Sequence, residues 1–173
     1  MEIQELSLKD ALLIIPRLYR DERGFFFESY QQGLGLPSFV QDNHSYSKKG
    51  VIRGMHFQLS PIAQAKLVRV AVGQIYDVIV DIRTDSPTFG QWEGVYLDDK
   101  IHQQLFVPEG FAHGFQVISE EAHVLYKVTA PYHPQAERNF RFDDPEVGIE
   151  WPLKESIVSE RDRNAPSMRE ATL

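Results

Sequence analysis

The stretch Ala65-Lys66-Leu67-Val68-Arg69-Val70-Ala71-Val72-Gly73-Gln74-Ile75-Tyr76-Asp77-Val78-Ile79-Val80-Asp81-Ile82-Arg83 decides the fold class. Two runs rich in β-branched residues flank a Gly73-Gln74 break. They read as two strands joined by a two-residue hairpin turn. Outward from this pair, similar short runs recur about every ten residues, with turn formers between them. On the N-terminal side lie residues 11–16, closed by Pro16, then the aromatic run 25–30 after an Asp21-Glu22-Arg23-Gly24 turn, and the strand 51–58 after Lys48-Lys49-Gly50. On the C-terminal side lie 91–97, 103–107 (ended by Pro108-Glu109-Gly110), 112–118 and 122–130. Residues 39–47 alternate poorly and are very polar for a strand. This spacing predicts an all-β sandwich or barrel. Only the tail, 144–173, reads as irregular with one short helix. No linker, low-complexity run or fixed-period repeat interrupts the chain, so 1–173 reads as one domain.

The bulk composition narrows the function. At 173 residues the chain can bury a substantial core without staples. It has no cysteine, which rules out disulfides and thiolate metal sites. A formal net charge of −7 argues against a nucleic-acid surface. No apolar run approaches the length of a membrane span. The first residues, Met1-Glu2-Ile3-Gln4-Glu5-Leu6, lack the basic and apolar regions of a signal peptide. A cytoplasmic protein without membrane association is the expectation.

The segment Val51-Ile52-Arg53-Gly54-Met55-His56-Phe57-Gln58 is the strongest candidate for chemistry. Strict alternation places Ile52, Gly54, His56 and Gln58 on one face and Arg53, Met55 and Phe57 on the other. A face with an imidazole, an amide and little apolar bulk suits a lined cavity, with His56 as a general base. Asp77, Asp81 and Asp162 are candidate partners that spacing cannot rank. Tyr126, among apolar neighbours, could return a proton from the opposite side, although spacing alone favours a core tyrosine. Arg53 lies three residues from His56, so the two share a face only if a bulge or twist intervenes near Gly54. His56 and His113 lack the neighbouring His and carboxylate of a metal-binding cupin, so no metal is expected.

Several motifs together resemble one family. They are Asp21-Glu22-Arg23-Gly24-Phe25-Phe26-Phe27-Glu28, Gln41-Asp42-Asn43-His44-Ser45, Arg53-Gly54-Met55-His56-Phe57-Gln58, Asp77-Val78-Ile79-Val80-Asp81-Ile82-Arg83, Ser86-Pro87-Thr88-Phe89-Gly90, and Pro108-Glu109-Gly110-Phe111-Ala112-His113-Gly114-Phe115. In register from about residue 10 to 165, the chain resembles the dTDP-4-dehydrorhamnose 3,5-epimerases. The resemblance implies a cupin-like jelly roll (double-stranded β-helix), a homodimer with an exchanged N-terminal strand, and neither metal nor organic cofactor. It implies His56 as base, Asp162 as its carboxylate, Tyr126 as opposite-face acid and Lys66 near the C4 oxygen of the sugar. Arg53, His113 and the run Gln41, Asp42, Asn43 would hold sugar and diphosphate. Arg23, Phe26 and Glu28 would contact the nucleoside from across the dimer. Glu137 and Arg161 would add ligand contacts, and Tyr132 would stack on the base. Pro131 stands where many members have tyrosine, and Arg161 where lysine is frequent.

The implied reaction is epimerisation at C3 and C5 of dTDP-4-dehydro-6-deoxy-D-glucose through enolates, in dTDP-L-rhamnose synthesis. A single-carbon epimerase or 3,4-ketoisomerase of another deoxysugar pathway would share the scaffold. A non-catalytic sugar-binding cupin and a metal-dependent cupin enzyme are the alternatives from other classes.

Overall fold

The structure, a computed structural model, describes residues 1–172. The last residue of the tail predicted as irregular, 173, lies outside the described residues. In chain order the strands are β1 (Glu2–Glu5), β2 (Leu12–Ile15), β3 (Tyr19–Asp21), β4 (Gly24–Phe26), β5 (Gln41–Lys48), β6 (Val51–Gln58) and β7 (Lys66–Val72). They continue as β8 (Gln74–Asp81), β9 (Trp92–Asp98), β10 (Gln104–Val107), β11 (Phe111–Val117), β12 (Glu121–Val128), β13 (Glu137–Asn139) and β14 (Ile157–Val158). Two short helices follow, α1 (Glu160–Arg163) and α2 (Met168–Thr172).

Two sheets face each other as a jelly roll of the cupin type. One runs β1-β2-β10-β7-β12-β5 and the other β13-β6-β11-β8-β9, with β14 added to β6. The all-β expectation holds, and the tail carries two short helices rather than one.

The hairpin reading of Gly73-Gln74 does not hold. β7 and β8 do not pair: β7 lies between β10 and β12, and β8 between β11 and β9. The chain arches from one sheet to the other at Gly73, which has φ +87°. Its N–H donates to the Asp99 carboxylate at 2.7 Å, and the Gln74 N–H donates to Ser119 Oγ at 2.8 Å. A Cβ at Gly73 would meet the Glu121 carbonyl oxygen, so the arch needs glycine. Val68 and Val70 therefore face Ile75 and Ile79 across one core instead of lying beside them. Each such fully buried side chain contributes roughly 1.5–3 kcal/mol. Alternation looks the same in a hairpin and in an arch, which is why the sequence could not separate them.

The outer faces are covered by the chain's own irregular segments. Phe140, Val147, Met168 and Ala171 pack on Met55, Phe57, Val78 and Val80 of the β6 sheet. Tyr30, Leu36 and Phe39 pack on Ile14, Leu67 and Phe106 of the β7 sheet. The space between the sheets is filled by apolar side chains at one end. At the other end it opens into a polar cavity walled by both sheets. No helix among the described residues is long and apolar enough to cross a membrane.

Candidate active site

The β6 strand breaks its own alternation at Gly54. Pairing with β11 runs His56↔His113 and then Arg53↔Phe115, so three residues of β6 span two of β11. This bulge puts Arg53, His56 and Gln58 on the inner face, while Met55 and Phe57 go to the outer core. The strict-alternation reading that separated Arg53 from His56 is thereby corrected, and the bulge alternative holds. Gly54 has φ +141°, and a Cβ there would lie 2.5 Å from the Gly114 Cα. Two glycines facing each other are what let the strand turn here.

His56 is oriented from far along the chain. β14 runs parallel to β6, with Ile157 opposite Val51 and Val158 opposite Ile52. The next turn is α1, capped by Ser159, whose Oγ accepts from the Asp162 N–H at 3.1 Å. That turn aims Asp162 at His56, with Nε2 and Oδ1 2.6 Å apart. Asn139, opposite His56 on β13, adds a 3.4 Å contact to the same oxygen. Burial pushes the Asp162 carboxyl up, but its bonds from His56, Ser159 and Asn139 outweigh burial and hold it below the ordinary carboxylate value. An ionised Asp162 accepting from Nε2–H leaves Nδ1 as the basic nitrogen of His56. Asp77 and Asp81, unranked beside Asp162 from spacing, go elsewhere. Asp81 binds Arg83, Ser86 and Thr88.

The opposite sheet supplies the other functional groups. Tyr126 on β12 and Lys66 on β7 line the same cavity as His56. Burial raises the Tyr126 phenol, with Arg53 opposing and Glu137 adding, so the hydroxyl stays protonated through neutral pH. Burial drives the Lys66 ammonium down to about 8, against the pull of Asp77 and Glu137. Its Nζ donates to the His56 carbonyl at 3.2 Å. Base and phenol thus face each other across a cavity of about 280 Å³ that continues into a hollow of about 250 Å³.

Further polar groups ring this space. The polar segment 41–48, which seemed a poor strand from sequence, is a regular one: Gln41, Asn43 and Ser45 point inward. Asp42 points out and pairs with Lys127 at 2.8 Å, so the cavity does not receive it. Tyr132 and Glu137 line the mouth, where the Tyr132 hydroxyl donates to Glu137 at 2.8 Å and Arg161 pairs with the same carboxylate at 2.8 Å. Arg53 donates to Ser47 Oγ at 2.9 Å and keeps one side on the hollow. His113, buried beside His56, pairs through Nε2 with Asp77 at 2.7 Å. Burial lowers the His113 imidazole against the pull of Asp77. Sequence reasoning did not place Ser45 or Gln64 at the site, and it had Asp77 only as an unranked candidate partner of His56. Period-two alternation from Asn43 could have found Ser45.

Arg23, Phe26 and Glu28 are not brought to this cavity within the chain. They sit on or just after the β3-β4 hairpin, which pairs with no other strand among the described residues. Phe26 is 65% exposed, and Arg23 pairs only with Asp21 beside it. No group of three or more His, Asp or Glu among the described residues is placed to hold a metal ion.

Comparison with known proteins agrees with this arrangement. The sequence profile described as dTDP-4-dehydrorhamnose 3,5-epimerase matches residues 5–170. The protein of that name from Salmonella typhimurium is 49% identical over 180 residues, covering 100% of this chain and 98% of the relative. A Legionella pneumophila dTDP-6-deoxy-D-glucose-3,5-epimerase, solved with dTDP-4-keto-L-rhamnose, is 45% identical with a TM-score of 0.93, covering 97% of this chain and 93% of that one. The Bacillus anthracis enzyme, solved with TDP and PPi, is 48% identical with a TM-score of 0.93, covering 96% and 98%. A profile matched almost end to end, on a jelly roll whose two sheets bring a histidine-carboxylate pair and a tyrosine to one cavity, places this chain in the dTDP-4-dehydrorhamnose 3,5-epimerase family.

Proposed function

We propose that the protein is an isomerase that inverts C3 and C5 of dTDP-4-dehydro-6-deoxy-D-glucose, giving dTDP-4-dehydro-L-rhamnose on the route to dTDP-L-rhamnose. The observation that carries this reading is the placement of base and acid on opposite sheets. His56, backed by Asp162, lies on one wall and Tyr126 on the other, with Lys66, from the Tyr126 sheet, in the same cavity.

The protons at C3 and C5 are both α to the C4 carbonyl. His56 Nδ1 removes one, and Asp162 stabilises the imidazolium that forms. The electron pair moves to O4 as an enolate. Lys66 offsets that charge in a water-poor pocket, where one such contact is worth roughly 3–4 kcal/mol. Tyr126 then gives its proton to the opposite face of the carbon, which inverts the centre. Exchange with solvent reprotonates Tyr126 and deprotonates His56. The second carbon repeats the cycle after the sugar ring reorients. Gln41, Asn43, Arg53 and His113 hold the sugar and diphosphate, and Tyr132, Glu137 and Arg161 close the mouth over the nucleotide. Binding energy from these remote groups positions the reacting carbons.

The nucleoside contacts of Arg23, Phe26 and Glu28 belong in this proposal to a homodimer. Each hairpin, with its exposed aromatic rings, would reach the cavity of the other copy, and β1 would take part in the same exchange. Mixing an Arg23→Ala chain with a His56→Asn chain tests this. Restored activity, about a quarter of wild type from the one intact site per mixed dimer, is expected; no restoration would refute the exchange.

The reaction itself is tested by following the sugar by NMR in deuterated water. Deuterium at both C3 and C5 is expected. Incorporation at one carbon would make the protein a single-carbon epimerase, and none at either would rule out proton transfer.

A further inference from the structure

The β3-β4 hairpin is fastened to the rest of its chain through one turn. Arg20 Nη2 donates to the Lys100 carbonyl at 3.0 Å. The rings of Phe25 and Phe27 lie 4.7 and 4.8 Å from the His102 imidazole and 6.0 Å from each other. The turn that presents His102 is itself stiff. The Asp98 carboxylate accepts from the Lys100 and Ile101 N–H groups, each at 2.9 Å, and the His102 N–H returns to the Asp98 carbonyl at 3.2 Å. His102 holds φ +60° in this turn.

The imidazole is 4% exposed, and both of its nitrogens are buried without a hydrogen-bond partner. With neither nitrogen bonded among the described residues, the ring is held by its packing. It contributes its faces, packed against two phenylalanines. We infer that His102 is a positioning residue that seats the nucleotide-gripping hairpin, and that it does so only as a neutral ring. The inference rests on the reading that Arg23, Phe26 and Glu28 contact the nucleotide.

Protonation undoes this seating. Burial lowers the His102 imidazole below its ordinary value, and Arg20 and Arg69 add to that, while Asp99 and Asp98 oppose it. Above the ordinary histidine range the ring is neutral and stacked. As pH falls through the depressed value, the imidazolium requires water that the Phe25-Phe27 stack excludes. The hairpin then loosens, and nucleotide affinity falls with it.

The test uses the intact protein, calorimetric titration with dTDP and steady-state kinetics. His102→Ala is expected to raise the dTDP Kd and the substrate KM about tenfold, the order of one aromatic stacking contact, with kcat changed less than about threefold. His102→Phe is expected to restore Kd at pH 7.5 and to reduce the weakening of dTDP binding that the wild type shows at acid pH. The other titrating groups are common to both proteins and cancel in that comparison. Unchanged Kd in His102→Ala, or equal acid weakening in His102→Phe and wild type, overturns the inference. If His102→Ala fails to fold, the pH comparison with His102→Phe decides alone. Phe26→Ala separates the two readings. If it raises Kd while His102→Ala does not, the role of His102 fails and the hairpin contact stands. If Phe26→Ala leaves Kd unchanged, the hairpin contact itself fails and this inference falls with it.

Discussion

Two histidine-carboxylate pairs sit side by side in this molecule. His56 meets Asp162 at 2.6 Å, and His113, its cross-strand partner on β11, meets Asp77 at 2.7 Å. In local chemistry they are almost the same pair. They differ in access and in how each carboxylate is held. The His56 side chain is 31% exposed into the cavity and its carboxylate rides on a one-turn helix. His113 and Asp77 are sealed at 8% and 0%, with both residues on paired central strands. A proton can reach His56 from a substrate and leave to solvent. The His113 pair is nearly closed off: only the imidazole reaches the hollow, where it can touch a ligand, while Asp77 behind it fixes its orientation and adds to the field around Lys66. The contrast teaches that access, more than hydrogen-bond geometry, separates the pair proposed as catalytic from its buried neighbour.

The largest effect should come from breaking the open pair. His56→Asn is expected to lower kcat about 10³-fold or more, the scale of a lost general base, with deuterium exchange lost at both carbons. Near-normal exchange would move the base elsewhere. Asp162→Asn is expected to cost roughly 10²–10⁴-fold in kcat and only about 1 kcal/mol of stability by urea unfolding. Asp77→Asn should reverse that pattern. It weakens a buried charge-assisted bond to His113 and removes an anion that offsets the buried Lys66 charge, and should cost about 3 kcal/mol of stability, with a smaller loss in kcat. Equal stability losses from the two substitutions would erase the distinction drawn above.

Lys66 sharpens the same comparison through pH. In the proposed mechanism its ammonium form stabilises the enolate; that form is lost as pH rises through about 8, so kcat/KM should fall tenfold per unit above that value. Removing the Asp77 charge in Asp77→Asn should move this alkaline limb to lower pH, because Asp77 pulls the Lys66 value up. Lys66→Met carries the opposite sign for stability. Folding lowers Lys66 from 10.5 to about 8, which disfavours the folded protein while the amine is charged. That penalty is full below pH 8 and disappears as pH rises toward 10.5, so Lys66→Met should stabilise the fold by roughly 2–3 kcal/mol at pH 7 and by little at pH 10.5. The smallest effect concerns the mouth. Glu137→Gln should raise KM about three- to tenfold with little change in kcat, since the Arg161 contact is half-exposed.

Particular residues show how far local reading reached. The alternation of β5 puts Gln41 and Asn43 on one face and Asp42 on the other, and that is how they lie. By sequence, 39–47 reads as too polar and too poorly alternating for a strand, and the family resemblance groups all three residues, so it is the structure that separates Asp42 from the other two. At β6 the same rule failed, because the bulge at Gly54 shifts the register and brings Arg53 beside His56. At Gly73 the turn signal was right, but its consequence was not. The bonds from Asp99 and Ser119 that make it an arch come from residues 26 and 45 positions away.

The sequence by itself determined the all-β class, the approximate strand positions and the candidacy of His56. These depend on local periodicity and on the chemistry of one side chain. Asp162 was singled out from Asp77 and Asp81 only by resemblance, because nothing local links positions 106 residues apart. Tertiary structure made that pairing by returning the chain along β6 and capping one helical turn at Ser159. It also decided that β7 and β8 arch rather than pair, that Arg53 faces inward and Asp42 outward, and that Asp77 is locked onto His113. The physical reason is common to all of these. Which sheet a strand joins is settled by hydrogen bonds and packing between distant segments, and a pattern of period two carries no record of them.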